Sequence, residues 1–214
     1  MSGKTKIALV PAALALLWLA MMITGTGTLD RTVLEAIYAG HRPALRSVAT
    51  FVTRFGEWEF LFPLTLIVGA ILLLVARVHR QAVLFLSICL FGRLLVHLQK
   101  IGIGRLRPED REHLVQVQSL SFPSGHSTNS MIVFLALALV VAPARHRKLA
   151  VLLAVAGSMI IGISRPMLGV HWPSDVIGGW SFGAAWVLTM VGLAERWPFG
   201  KSSSPAEAGA QERR

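Results

Sequence analysis

Long apolar stretches dominate the chain, and short polar segments separate them. A helix needs about 20 mostly apolar residues to cross a hydrocarbon core of about 30 Å, because each residue rises about 1.5 Å. We identify six candidate stretches, of which the fourth and fifth are short: Ile7 to Thr24, Phe60 to Ala76, Ala82 to Leu98, Ser127 to Val141, Leu149 to Ile163 and Ser174 to Leu193. The pattern predicts an all-α polytopic membrane protein with six transmembrane helices in a bundle.

Residues 29–57, between the first and second predicted spans, follow a different pattern. Apolar residues recur there at spacings of three and four, and charged residues fall between them. This periodicity is typical of amphipathic helices, and Gly40 and Pro43 favour a break between two of them. We expect an interfacial helical segment that either lies along the membrane surface or caps the ends of the bundle.

The two ends of the chain also differ from the spans. Lys4 and Lys6 precede the first apolar run as in a signal peptide, but the run is long and no small-residue cleavage site follows it, so we interpret it as a retained anchor. Residues 198–214 are rich in Ser, Ala, Gly and Glu and predict a disordered tail. The remainder, residues 1–197, is predicted to form a single membrane domain.

Composition agrees with a membrane protein and argues against one class of partner. The chain is 54% hydrophobic and 15% charged, with a mean hydropathy of +0.61. Its net charge of +10 would suit nucleic acid, but the basic residues lie between apolar runs and Tyr38 is the only tyrosine. A nucleic-acid interface needs basic residues gathered on one soluble face beside stacking aromatics, so we expect none.

Charge in the short loops predicts the orientation. Residues 76–81 and 143–148 carry Arg and Lys without an acidic residue, which favours a cytoplasmic side for these loops and for both termini. We therefore expect a multi-pass protein of the inner or plasma membrane. Residues 99–126 and 164–175 then face the periplasm or the exterior together.

The first of these outer loops holds two groups that suit an anion. Lys100 precedes Arg107 by seven residues, nearly two helical turns, so we expect both cations on one helix face until Pro108 ends the helix. Further on, Ser124 is suited to cap the next helix, whose N-terminus favours an anion, and Gly125 permits close approach of a ligand. Alternatively, these residues form an ordinary capped helix start, with His126 as a polar interface residue.

The second outer loop carries Arg165, His171 and Asp175. Pro173 suits the first position of a helix, which would make Asp175 the third residue. From there its carboxylate can accept a hydrogen bond from His171, fixing the tautomer and leaving the other nitrogen free to attack. The alternative for Asp175 is a simple charge at a helix N-terminus.

Together these residues suit phosphoryl transfer through a covalent intermediate, because they offer three cations, a helix N-terminus, a histidine oriented by a carboxylate and a second histidine. No carboxylate cluster resembles a magnesium site, and the histidines lack a metal-ligand spacing. We therefore expect no metal and no cofactor.

The motifs resemble the signature of the type 2 phosphatidic acid phosphatase superfamily, which includes undecaprenyl-diphosphate phosphatases and vanadium haloperoxidases. That signature is Lys-x6-Arg-Pro, then Pro-Ser-Gly-His, then Ser-Arg-x5-His-x3-Asp. All three parts are intact and in order: Lys100 with Arg107 and Pro108, Pro123 to His126, and Ser164 and Arg165 with His171 and Asp175. The resemblance spans roughly Trp58 to Leu193.

The resemblance implies a role for each matching residue. It implies His171 as the nucleophile, Asp175 as its orienter and His126 as the acid that protonates the leaving group. The implied phosphate-binding residues are Lys100, Arg107, Ser124, Gly125 and Arg165. Ser164 and Pro123 are further signature positions whose roles stay open.

We therefore expect a metal-independent phosphatase that cleaves a phosphomonoester or diphosphate of a membrane lipid at the outer face. A phosphotransferase with the same phosphohistidine intermediate is one alternative, and a non-catalytic lipid-binding or transport protein is another. A vanadate-dependent haloperoxidase is less favoured, because those relatives are soluble. Two expectations stay open for Arg93 and His97, which either line the site or pair inside the bundle. Arg105 is predicted to belong to a solvated charged loop.

Overall fold

The structure, a computed structural model, describes residues 3–196, with side chains from residue 9 onward. The basic flank of Lys4 and Lys6 and the predicted tail, residues 198–214, lie outside the residues described in full. Within residues 3–196 the fold has no strand, so the all-α prediction is confirmed. The helices are α1 Gly3–Thr24, α2 Thr28–Ile37, α3 Pro43–Thr53, α4 Trp58–Ala70, α5 His79–Ile103, α6 Gly125–Ala136, α7 Arg147–Met167 and α8 Pro173–Arg196.

The helices of the structure give fewer candidate membrane crossings than the six that the sequence pattern predicts. Four segments are long and apolar enough to cross a bilayer: Pro43–Val75, His79–Ile103, Ala144–Met167 and Pro173–Arg196. Helices α1 and α2, bent by 94° from each other, would add a fifth if they form one broken span. The remaining apolar segment, Gly125–Val141, is shorter. The described residues thus contain four or five candidate spans, and six crossings remain a prediction.

The amphipathic segment folds into α2 and α3, with the break at residues 38–42 where the sequence predicted it. Helix α3 packs on α7, and α2 contacts both α7 and α8. The backbone N–H of Ala39 donates to the carbonyl of Met167 at 2.9 Å, and the Tyr38 hydroxyl donates to the carbonyl of Glu112 at 2.9 Å. These contacts agree with a helical cap on the bundle.

Close packing between α6 and α8 brings two of the sequence motifs together. Gly179 and Gly183 lie four residues apart on α8, and a Cβ at either position would come within 3 Å of Thr128 on α6. Small residues at this spacing let two helix backbones approach closely within a membrane. Because α6 begins at Gly125 and α8 at Pro173, this contact sets the two helix N-termini side by side.

Candidate active site

The first motif lies across the end of α5, which stops earlier than expected. Gly104 adopts a left-handed conformation with φ of +68° and ends the helix after Ile103. The prediction that Lys100 and Arg107 share one helix face is therefore wrong, because Arg107 lies in the following loop. Lys100 is buried in the last turn, and its ammonium donates to the carbonyl of Leu120 at 2.5 Å.

Arg107 nevertheless reaches the other motifs through its guanidinium. Its Nη1 donates to the carbonyl of Val170 at 2.5 Å and lies 3.1 Å from Nε2 of His171. Its Nε donates to the carbonyl of Ser119 at 2.7 Å. Burial lowers the pKa of Arg107 to about 10, although the nearby Asp175 carboxylate opposes this shift. The guanidinium still carries its charge at neutral pH.

The second motif forms the start of α6. Ser124 occupies the N-cap position, but its side chain makes no capping bond, contrary to our expectation, and instead accepts a hydrogen bond from the Ser127 hydroxyl at 3.0 Å. The Ser124 backbone N–H donates to the carbonyl of Asp175 at 3.0 Å, which ties α6 to α8. Gly125 faces Lys100, and Nε2 of His126 is buried without a hydrogen-bond partner.

The third motif begins in the last turn of α7. Arg165 is buried, and its Nη1 donates to the Thr53 hydroxyl of α3 at 2.5 Å, whereas its Nε has no partner. The Ser164 hydroxyl donates to the carbonyl of Ile161 at 2.6 Å, a bond within its own helix. The second signature position of open role, Pro123, is buried just before α6.

Helix α8 begins at Pro173, so Asp175 is its third residue, as the sequence predicted. Oδ2 of Asp175 accepts a hydrogen bond from the backbone N–H of Trp172 at 2.9 Å and lies 3.2 Å from Nδ1 of His171. Because a carboxylate oxygen only accepts, this contact favours a proton on Nδ1 and a free electron pair on Nε2.

His171 is buried among cationic groups, and this affects its protonation. Burial comes first, and the charges of Arg107, Lys100 and Arg165 then add to it, so the pKa of His171 lies well below 6.5. The imidazole is therefore neutral at physiological pH. A neutral ring is the form that has an electron pair for attack.

Arg105 is a member of the site that the sequence interpretation missed. We predicted it as part of a solvated loop, but its side chain is only 9% exposed and its Nη1 donates to Oδ1 of Asp175 at 2.9 Å. Its Nη2 donates to the carbonyl of Met22 at 2.6 Å. One signal was available: residues two apart in an extended stretch point to the same side, so Arg105 follows Arg107 inward.

Ser121 contacts Asp175 directly, whereas Asp30 contacts the neighbouring residue, Ser174. The Ser121 hydroxyl donates to Oδ2 of Asp175 at 2.5 Å. Asp30, buried at the start of α2, accepts from the backbone N–H of Ser174 at 2.9 Å and from the Ser174 hydroxyl. No sequence motif marks either Ser121 or Asp30. We call these five residues, Asp30, Arg105, Ser121, Ser174 and Asp175, the Asp175 network.

Six of the signature residues line one cavity of about 390 Å³, which we call the anion site, together with the acidic Glu57 and Glu59. Its lining includes Lys100, Arg107, His126, Arg165 and His171. A groove of about 540 Å³ shares Lys100 and His126 with it and continues between α4, α5 and α6. A cavity of about 550 Å³ between α1 and α8 contains none of the signature residues. The predicted site residues therefore meet at the smaller cavity, where cationic side chains outnumber the acidic ones.

The donors of the anion site suit a multiply charged oxyanion. Guanidinium and ammonium groups bind phosphate oxygens through charge-assisted hydrogen bonds. Nε2 of His126 and Nε of Arg165 are buried and unpartnered, which is costly unless a ligand accepts from them. Within residues 9–196 no group of three or more His, Cys, Asp or Glu side chains is arranged to hold a metal ion.

Comparison with known proteins gives a consistent answer. The sequence model of the PAP2 superfamily matches residues 81–198. Phosphatidylglycerophosphatase B of Bacillus subtilis is 34% identical over 172 residues, covering 78% of this chain and 84% of that protein. A lipid A 1-phosphatase of Rhizobium etli is 32% identical over 203 residues, with the same coverage of 78% and 84%.

A solved structure extends the likeness to the fold. The crystal structure of a transmembrane PAP2 type phosphatidylglycerolphosphate phosphatase from Bacillus subtilis matches with a TM-score of 0.77 and 31% identity. The match covers 89% of this chain and 98% of that one.

Proposed function

The chain belongs to the PAP2 superfamily and is a membrane phosphatase of lipid phosphates, and from this premise we propose that it works through a phosphohistidine on His171, without a metal. The observation that carries the proposal is the pairing of Nδ1 of His171 with Asp175 while Nε2 adjoins the cationic anion site. This arrangement gives one histidine nitrogen a fixed proton and the other an electron pair beside a phosphate-binding cavity.

In the first step the lipid phosphate enters the anion site and accepts hydrogen bonds from Lys100, Arg107 and Arg165. Arg107 then exchanges its contact with Nε2 of His171 for the phosphate oxygens, which frees the electron pair. Nε2 attacks phosphorus and the bond from phosphorus to the leaving oxygen breaks. Protonated His126, whose positive charge the bound phosphate anion stabilises, gives that oxygen a proton. The cations stabilise the negative charge on the three equatorial oxygens of the transition state.

In the second step water attacks the phosphorus of the phosphohistidine. His126, which has lost its proton, accepts one from the water, and the bond between phosphorus and Nε2 breaks. Inorganic phosphate leaves, and His171 returns to its neutral form. Asp175 keeps the proton on Nδ1 throughout and stabilises the positive charge that the ring acquires when it is phosphorylated.

We further propose that the reaction takes place at the outer face of the membrane, with both termini in the cytoplasm. The basic loops 76–81 and 143–148 support this orientation by the positive-inside rule. The substrate class follows the names of the relatives, which act on phosphatidylglycerophosphate, lipid A phosphate and undecaprenyl diphosphate. A membrane lipid with a terminal phosphomonoester or diphosphate is therefore the proposed substrate.

The test is phosphate release by the purified, detergent-solubilised protein from a panel of lipid phosphates in the presence of EDTA. We expect the wild-type protein to release inorganic phosphate and His171→Ala to be inactive. His79→Ala, an exposed histidine at the far end of α5, is the matched control and should retain activity. A phosphoryl label on the protein should be stable in alkali and labile in acid, as a phosphorus–nitrogen bond requires.

Two results would contradict this mechanism. One is activity that disappears in EDTA, and the other is activity that survives the loss of His171. If phosphate moves to a lipid or sugar acceptor rather than to water, the same intermediate serves a phosphotransferase. Product analysis by mass spectrometry with candidate acceptors separates that outcome from hydrolysis.

A further inference from the structure

Helix α5 carries an arginine near its middle that the proposed mechanism does not use. Arg93 lies ten residues before the end of α5, which is about 15 Å along the helix. That position lies within His79–Ile103, one of the candidate membrane spans. A charge at this position is costly unless it faces a partner or a polar cavity. Among the described side chains, no carboxylate oxygen comes within 4 Å of its guanidinium, and the acidic residue that acts on its charge, Glu59 of α4, does so from a greater distance.

The guanidinium of Arg93 stacks on an aromatic ring. Its Cζ lies 3.6 Å from the ring centroid of Trp58, the first residue of α4. Helices α4 and α5 follow each other through a short loop, so Trp58 lies at the same end of the bundle as Lys100. Trp58, Arg93 and Lys100 line one groove, so the stacked guanidinium and the anion site lie on the same side of α5. A cation–π contact occupies the face of a guanidinium but leaves the N–H donors at its edge available.

Arg93 is also part of a polar stripe. Arg93, His97 and Lys100 lie at positions i, i+4 and i+7 of α5 and therefore share one helix face. Asn129 lies three residues after His126 on the facing helix α6. All of these side chains line the groove of about 540 Å³ that opens from the anion site. Of the two expectations for Arg93 and His97, lining the site is the one that agrees with this groove.

The groove, which we call the lateral groove, is the continuation of the anion site on the side of the leaving group. Gly56, Trp58 and Leu94 complete part of its wall, so apolar surface alternates with the polar stripe. A lipid whose terminal phosphate contacts Lys100 and His126 has this groove beside it for the rest of the molecule. An apolar lipid chain would leave the polar groups of Arg93, His97 and Asn129 without hydrogen-bond partners. A second anionic group would supply these partners.

We propose that Arg93, supported by His97 and Asn129, binds a second phosphoryl group in the leaving part of the lipid, close to the scissile phosphate. A glycerol-linked phosphodiester is the chemical class that fits, because its anionic oxygens follow the terminal phosphate after a short polar linker. The proposal rests on the proposed phosphatase function and adds the substrate preference of that site. A lipid whose terminal phosphate is esterified directly to diacylglycerol offers only neutral ester oxygens to Arg93.

The test compares two substrates with matched acyl chains in the same mixed micelles. One carries a terminal phosphate and a phosphodiester, as in phosphatidylglycerophosphate, and the other is phosphatidic acid. Arg93→Gln should reduce kcat/KM for the first by about tenfold to a hundredfold, the range of a charge-assisted hydrogen bond. For phosphatidic acid the same substitution should change kcat/KM less than about threefold. Arg93→Lys, which keeps the charge, should recover a large part of the loss.

A charge-matched control comes from the same helix. Arg80 is exposed at the opposite end of α5, where its side chain donates to the carbonyl of Ala194 at 2.7 Å. Arg80→Gln should leave the ratio of the two kcat/KM values at its wild-type level. A gel-filtration profile and a melting temperature near those of the wild type show that the Arg93 variants are folded. The ratio of rates is internally normalised, so a smaller active fraction does not imitate the expected result.

The outcomes distinguish this inference from the function on which it depends. If the wild-type protein releases no phosphate from either lipid, the proposed function fails. If the wild type is active and Arg93→Gln lowers both rates equally, or neither, the second phosphoryl site is wrong. A third substrate, a polyprenyl diphosphate, has its second phosphoryl group bonded directly to the first. A selective loss confined to this lipid would overturn the phosphodiester assignment in favour of a diphosphate.

Discussion

The two sides of His171 contrast in how completely their polar atoms are paired. On the Asp175 side, both carboxylate oxygens accept hydrogen bonds, from Arg105 on one and from Ser121 and Trp172 on the other. On the opposite side, His126 Nε2 and Arg165 Nε lack partners, and they are two of the four such buried side-chain atoms in the described part of the chain. Buried polar groups are normally paired, so this concentration is informative.

The difference shows which region is already fully hydrogen-bonded and which region has polar atoms available for a ligand. The Asp175 network fixes the position and tautomer of His171 before substrate arrives, which reduces the reorganisation needed in the transition state. The anion site keeps donors unpaired, at a cost in stability that a phosphate would offset. The first region should respond to substitution through kcat and stability, and the second through KM.

The largest effect should follow the loss of the Arg105 guanidinium. In Arg105→Leu the buried Asp175 carboxylate loses its charge partner, and breaking a buried pair costs about 3–5 kcal/mol. Asp175 keeps its bonds to Ser121 and Trp172, so we expect the lower end of that range. Misalignment of His171 should reduce kcat by up to about 100-fold, with little change in KM. Thermal unfolding and steady-state phosphate release measure both effects.

A control from the same loop separates burial from charge. Arg111 pairs with Glu35 at 2.6 Å, but the two side chains are 37% and 71% exposed. Exposed ion pairs contribute less than about 1 kcal/mol, so Arg111→Leu should be nearly neutral in stability and in kcat. Arg105→Lys should restore part of the kcat lost in Arg105→Leu. An unchanged kcat in Arg105→Leu would show that the network does not position His171.

Sequence predicted the signature residues correctly as neighbours, but only part of their surroundings. Spacing and helix-start chemistry were sufficient for Pro173 and Asp175, because the physical causes are local. Helix α5 ends one turn earlier than expected, because Gly104 adopts a left-handed conformation that stops the helix. The spacing of Lys100 and Arg107 does not predict this conformation. Arg105 and Asp30 acquire their partners from residues about 70 and 144 positions away, which no local pattern encodes.

The number of membrane crossings illustrates the same limit. Apolar length predicted six spans, whereas the apolar segment Gly125–Val141 is shorter than the four candidate spans. The start of α6 is fixed by Ser124 and Gly125 at the anion site rather than by a membrane boundary. Helix α6 thus begins two residues before Ser127, where the apolar run was predicted to start.

The pH dependence of kcat/KM should show the protonation of both His171 and Arg107, and we expect its effect to lie between those of the other predictions. The pKa of His171 lies well below 6.5, so the attacking neutral form persists at pH 6.5 and is lost only at lower pH, tenfold for each unit. The pKa of Arg107 is about 10, so its contribution to the phosphate-binding charge is lost as pH rises through that value. We expect an acid limb from His171 below pH 6.5 and a loss of activity near pH 10 from Arg107.

The substrate phosphate also ionises near neutral pH, and this must be separated from His171. Repeating the profile with a second lipid whose phosphate has a different pKa moves a limb that belongs to the substrate but leaves an enzyme limb in place. A substrate-independent acid limb with its midpoint at pH 6.5 or above would contradict the neutral, electron-pair-bearing His171. It would also remove the contrast between the Asp175 network on one side of the ring and the anion site on the other.

The smallest effect should come from the single side-chain bond that holds Arg165 in the anion site. Thr53→Val removes the hydroxyl that accepts from Nη1 of Arg165 at 2.5 Å, while nearly preserving the shape of the side chain. A bond to a charged group contributes about 1.5 kcal/mol, equivalent to about tenfold in binding, so KM should rise by that factor with kcat nearly unchanged. Thr65→Val is the matched control, because its buried hydroxyl bonds to the carbonyl of Leu61 within α4, away from the phosphate. A fall in kcat rather than a rise in KM would mean that Thr53 acts as the Asp175 network is expected to act. The assignment of kcat effects to that network and KM effects to the anion site would then be wrong.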